Sequence, residues 1–173
     1  MRRLISILAA GLLAAGILAT AGGASAGATA AHPAFTCTND STNFFNVTKN
    51  SVNYFLGTPN HDFAGATARL KPTKNSTTVW LNCFSMTSNT VVLKNGGLAL
   101  TSRSSSPGAD VLMEPTGNRG NGFASQQWNF VAPGSTVTFQ NVKTGLFLRV
   151  RNSCCSFGQT VTTGFTSTAW TFS

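Results

Sequence analysis

From residue 27 onward, apolar positions come in short pieces that alternate with polar ones. Val137 and Phe139, Leu148 and Val150, and Trp170 and Phe172 each enclose a single Thr or Arg. Gly, Asn, Ser and Pro stand between the pieces. A period of two bounded by turn residues is the pattern of half-buried strands. No stretch after residue 26 keeps a 3.6-residue period through three turns. Almost no helix is therefore predicted, and the fold class is all-β.

The pieces also repeat. Tryptophan occurs three times, at Trp80, Trp128 and Trp170, each near the end of a similar segment. Val91 to Asn95 followed by Gly97 to Leu100 matches Val137 to Asn141 followed by Gly145 to Leu148. Gly108 to Met113 matches Gly158 to Thr163, and Trp128-Asn129-Phe130 matches Trp170-Thr171-Phe172. An earlier unit is weaker: Phe45-Asn46-Val47, Tyr54-Phe55-Leu56, Gly65 to Leu70, then Trp80-Leu81-Asn82. A four-stranded unit cannot bury its own apolar face, whereas three can share one core. The expectation is a closed body with three pseudo-symmetric repeats of about four strands each, roughly residues 36–83, 84–131 and 132–173. Closure removes the unpaired edges that would otherwise aggregate.

The first 26 residues read differently. Arg2 and Arg3 precede an apolar run over residues 4–20, and residues 21–26 end in Ala-Ser-Ala. This is the order of a secretory signal peptide (residues 1–26) with its cleavage site, leaving a single domain over residues 27–173. The run is short of the roughly 20 residues of a membrane span. No stop-transfer charges follow it, so no stable membrane anchor is expected after cleavage, and the location implied is extracellular.

Composition narrows the chemistry. Only 9% of residues are charged, and the acids number four: Asp40, Asp62, Asp110 and Glu114. Without Arg2 and Arg3, ten basic residues face those four, a formal charge of +6 against +8 for the whole chain. The basic residues are scattered, and the tightest groups are Arg69/Lys71/Lys74 and Arg149/Arg151. That suits adhesion to anionic walls and polysaccharides and lacks the dense basic face of a nucleic-acid binder. With His32 and His61 the only histidines and no C-x-x-C, no metal site and no cofactor are expected. No nucleophile motif is present either, and the chain is read as not an enzyme.

Four cysteines in an exported chain imply disulfides. The preferred pairing is Cys37 with Cys83. Cys154 and Cys155 are then a vicinal pair or two thiols, with a loop staple favoured over a redox role.

Gln126-Gln127-Trp128 is the Q-x-W signature of the ricin-type β-trefoil lectins. Gly145-Leu146-Phe147-Leu148-Arg149-Val150 resembles that family's G-x-C-L-D-V segment. Residues 36–173 resemble the family throughout, most sharply in the last two units. The resemblance implies a β-trefoil and a secreted carbohydrate-binding module. Its sugar pocket uses an Asp in the L-D-V position, a stacking aromatic, and an Asn before the Q-x-W glutamine. Here the Asp position holds Thr101 and Arg149 and falls near Gly57 in the first unit, and the Asn position holds Ser125 and Ser167. No aromatic is evident near Met113 or Thr163. These departures argue against a galactose pocket of the familiar type.

The candidate ligand contacts are Asp110, Asn121 and Gln126, in the unit with the best motif. Trp80, Trp128 and Trp170 are expected to be core residues that join the repeats. The leading function is binding of a cell-wall or extracellular glycan or polysaccharide. The alternative is a protein-binding trefoil (an inhibitor, toxin accessory or adaptor) whose partner loop carries Arg149, Arg151 and Phe157 beside the adjacent cysteines. An exposed aromatic within a polar pocket would favour the sugar; one at the tip of a protruding loop would favour the protein.

Overall fold

Six strands close into a barrel, and three hairpins cap one of its ends. The computed structural model describes residues 35–38, 43–59, 63–117, 122–132, 134–152 and 154–172. The expected signal peptide, Asp40, Asp62, both histidines and the candidate contact Asn121 lie outside these residues. The described residues form thirteen strands and no helix. The strands are β1 (Phe35–Cys37), β2 (Phe45–Lys49), β3 (Val52–Gly57), β4 (Arg69–Lys71), β5 (Leu81–Ser85), β6 (Thr90–Asn95) and β7 (Leu98–Thr101). There follow β8 (Leu112–Pro115), β9 (Trp128–Val131), β10 (Thr136–Asn141), β11 (Phe147–Val150), β12 (Val161–Gly164) and β13 (Trp170–Phe172).

The barrel follows the order β5-β6-β9-β10-β13-β2, every pair antiparallel. A bridge between Asn43 and Trp80 returns β2 to the start of β5, with Trp80 N–H donating to the Asn43 carbonyl at 2.9 Å. The hairpins β3–β4, β7–β8 and β11–β12 extend from β2, β6 and β10. Each repeat thus gives two strands to the barrel and two to the cap, and the fold is a β-trefoil.

The threefold relation can be read bond by bond. Ala68 N–H donates to the Val111 carbonyl at 2.8 Å, Val111 to Val161 at 3.1 Å, and Val161 back to Ala68 at 2.9 Å. This ring joins the three hairpins. The glycines that precede these residues hold φ of +84° (Gly65), +86° (Gly108) and +77° (Gly158), a region where a β-carbon is strained. Their N–H groups reach the carbonyls of Met113, Thr163 and Leu70 at 2.7, 2.7 and 2.8 Å. The glycines aligned by sequence are therefore the turns that lock one repeat to another.

Alternation then decides what is buried. Leu56, Leu100 and Leu148 occupy equivalent places and are fully buried, as are Trp80, Trp128 and Trp170. Burying a side chain of this size contributes about 1.5–3 kcal/mol. Trp80 Nε1 donates to the Leu56 carbonyl at 2.9 Å and Trp128 Nε1 to that of Leu100 at 3.0 Å. Trp170 Nε1 has no acceptor among the described residues.

Strand β1 stands outside the threefold set. Among the described strands it pairs only with β5, Cys37 directly opposite Cys83, and these two cysteines form a disulfide. The outer face of β5, β6 and β7 there carries a small second cluster of Cys83, Val92 and Ala99, with Phe35 and Leu81 against it. Lys94 lies on the same face near Cys37, and burial lowers its pKa below the usual lysine range. Cys154 and Cys155 pair with each other and pack against the main core.

Candidate functional site

Gln126 does not face a ligand. It is 1% exposed, and its amide is used within the fold. Oε1 accepts from Gly117 N–H at 3.0 Å and from Phe123 N–H at 3.1 Å. Nε2 donates to Thr101 Oγ1 at 3.2 Å and to the Pro115 carbonyl at 2.9 Å. Four bonds saturate a primary amide, so the expected ligand contact is instead an internal brace for the loop that follows β8. The residues two places before the other tryptophans also accept a backbone N–H through their side chains. Thr78 Oγ1 accepts from Asn75 N–H at 2.8 Å, and Thr168 Oγ1 accepts from Val150 N–H at 3.1 Å. Gln126→Leu should cost about 2 kcal/mol, because it strands two backbone donors that water reaches only in part. Urea titration would measure the loss. Hydrogen exchange at Gly117 and Phe123 should quicken well before that of the barrel amides.

Asp110 is half-exposed and pairs with Arg151. It bridges to Thr162 on β12, so the second unit's candidate acid is delivered to the third unit. Glu114 pairs separately with Arg103. The two acids thus face different guanidinium groups and do not form a carboxylate pair. Among the described residues no three His, Cys, Asp or Glu side chains gather as a metal site would require.

The residues expected on a protruding partner loop divide. Phe157 is 55% exposed but its ring leans on Tyr54, with centroids 4.9 Å apart. Arg149 and Arg151 line a cleft of about 340 Å³ with Gly108, Asn152, Phe165 and Thr166 among its walls. Arg149 stands opposite Thr162 in the β11–β12 pair. Its stem crosses Gly164, where a β-carbon would lie 2.5 Å from Arg149 Cδ. Its Nη1 donates to Thr166 Oγ1 at 3.1 Å.

This cleft sits at the third unit's L-D-V position, with Arg149 in place of the acid. Its aromatic is Phe165, 77% exposed. Sequence inspection passes over Phe165 because it lies two residues beyond Thr163, past the end of β12. Two buried polar atoms of the cleft residues, Thr163 Oγ1 and Arg151 Nε, have no partner among the described residues. A flat apolar face and two guanidinium groups therefore share one concave site. It can hold a polar ring that has one apolar side.

No protein-family model matches the sequence, and no curated protein matches it. Solved structures do. The designed threefold-symmetric protein ThreeFoil is similar over 76% of this chain and 97% of its own, at 22% identity and a TM-score of 0.65. A Polyporus squamosus lectin, solved with a Neu5Ac-Gal-GlcNAc epitope, matches 76% of this chain and 48% of its own, at 14% identity and a TM-score of 0.58. A mosquitocidal holotoxin matches 78% of this chain at 13% identity and a TM-score of 0.63, and the match spans only 17% of the toxin. Likeness at such low identity speaks to architecture, and the architecture it supports is the β-trefoil already traced strand by strand.

Proposed function

We propose that the protein is a secreted, non-catalytic carbohydrate-binding module acting on cell-wall or extracellular polysaccharide, with its sugar site in the third-unit cleft. The observation that carries the reading is Phe165. It lines the cleft beside Arg149, Thr166 and Asn152, in the segment between β12 and β13, with its ring exposed. An aromatic face covers the C–H side of a pyranose, and the surrounding donors and acceptors take its hydroxyls. The lectin among the similar structures was solved with a glycan bound, which agrees with this reading.

The test is a glycan array together with insoluble polysaccharides, each repeated at high salt. Binding to a defined sugar should survive salt, and Phe165→Ala should weaken it at least about tenfold with no change in melting temperature. Binding that salt abolishes on every polymer would mean charge attraction alone. Undiminished binding by Phe165→Ala would remove the cleft from the account.

A further inference from the structure

The third-unit cleft carries the opposite charge to the pattern it resembles. Where that pattern has an acid, Arg149 stands in the cleft wall. A carboxylate only accepts hydrogen bonds and a guanidinium only donates them. The exchange reverses what a ligand must present at this place, from donors to acceptors.

Much of Arg149 is left for a ligand. Among the described residues, Nη1 donates to Thr166 Oγ1 at 3.1 Å and Nε to the Val150 carbonyl at 3.4 Å. Nη2 has no acceptor there and is open to solvent. No described acid pairs with Arg149 either, since Asp110 pairs with Arg151 and Glu114 with Arg103. Arg151, the other cation of the cleft, is thereby neutralised, and the charge the cleft offers is that of Arg149.

Arg149 is also held in place. Its stem lies across Gly164, where a β-carbon would come 2.5 Å from Cδ and 3.2 Å from Nη1. Thr166 follows Phe165 in the chain, so the Nη1 bond ties the guanidinium to the segment that carries the exposed ring. A guanidinium positioned before the ligand arrives loses little freedom on binding.

Taking this cleft as the sugar site, we propose that its ligand is a pyranose carrying a carboxylate, a hexuronate residue of an acidic polysaccharide. In a hexuronate the carboxylate projects from the ring edge, while the apolar C–H groups face above and below. A ring laid on Phe165 presents its acid sideways, where a guanidinium of the cleft wall can pair with it. Charge-assisted bonds of this kind are roughly twice as strong as neutral ones.

Isothermal titration with trisaccharides of glucuronate, galacturonate and mannuronate, each against its methyl ester, tests this. Acid and ester share every ring atom and every stereocentre, and only the acid is charged. In 1 M salt the screening length is about 3 Å, so long-range attraction is suppressed and direct contact remains. In at least one of the three series the acid should bind at least about tenfold more tightly than its ester. Arg149→Gln should bring the acid down to the affinity of the ester, and Phe165→Ala should weaken both. Equal affinity for acid and ester in every series would overturn the carboxylate and leave the sugar site standing, as would Phe165-dependent binding of neutral sugars alone. A preference for the acid that survives Arg149→Gln would place the contact elsewhere and overturn the proposal too. Binding of no sugar of either kind would overturn the sugar site itself, and this proposal with it. If Arg149→Gln does not fold, the comparison of acid with ester on the unaltered protein still decides.

Discussion

Trp128→Ala should destabilise the protein by about 3–5 kcal/mol. That is a large part of the roughly 5–15 kcal/mol that holds a typical domain together. The side chain is fully buried at the start of β9, opposite Val91, where the second repeat's strands meet in the barrel wall. Neighbouring strands are hydrogen-bonded on both sides and cannot collapse far into the space it leaves. The loss also orphans the Leu100 carbonyl, which the indole N–H now satisfies at 3.0 Å. A comparison with Trp170 separates the two contributions. Trp170 is equally buried, but its N–H has no acceptor among the described residues. Phenylalanine at position 128 should therefore cost more than phenylalanine at position 170, since only the first breaks a bond. Denaturant midpoints of the three single variants measure this. A mild effect of Trp128→Ala would contradict its place in the core.

Why the fold was legible and the site less so follows from what repetition encodes. Gly65, Gly108 and Gly158 recur because three equivalent turns need positive φ, and their neighbours form the ring through Ala68, Val111 and Val161. Such constraints act at each repeat and leave the same residue type each time. Asn95 and Asn141 behave likewise. Each points its Nδ2 at carbonyls beside the preceding unit's tryptophan, Val79 at 2.7 Å and Gln127 at 3.3 Å.

A binding site need occur only once, and it leaves no repeat. Arg149 and Phe165 come together because Gly164 lets the arginine stem pass, which no spacing rule announces. Asp110 and Arg151 are 41 residues apart and meet through a bridge between repeats. Gln126 was misleading for a different reason. An amide suits an internal loop and a sugar hydroxyl equally well, and only burial tells them apart. The strand count shows one more limit: β1 belongs to no repeat, so a periodic reading of four strands per unit has no place for it.

That extra strand leads to the other large expected effect. Replacing both Cys37 and Cys83 by alanine should cost about 4 kcal/mol, the chain-entropy value for a cross-link closing 46 residues. The loop it closes holds nearly the whole first repeat. This is the unit furthest from the shared pattern: Thr78 stands where the second has Gln126, and its β4 spans only Arg69–Lys71. The cross-link restricts the unfolded chain across the segment whose own sequence specifies the repeat least. The barrel itself closes through Asn43 and Trp80 without β1. The double variant should therefore keep its β-sheet circular dichroism while the Thr38 amide, bonded to Asn82, exchanges much faster. Its denaturant midpoint should fall, and its m-value should rise because the uncrosslinked chain unfolds to a more exposed state. A lower midpoint with an unchanged m-value would place the disulfide's contribution in the native packing of Cys83 against Val92 and Ala99, and not in the unfolded chain.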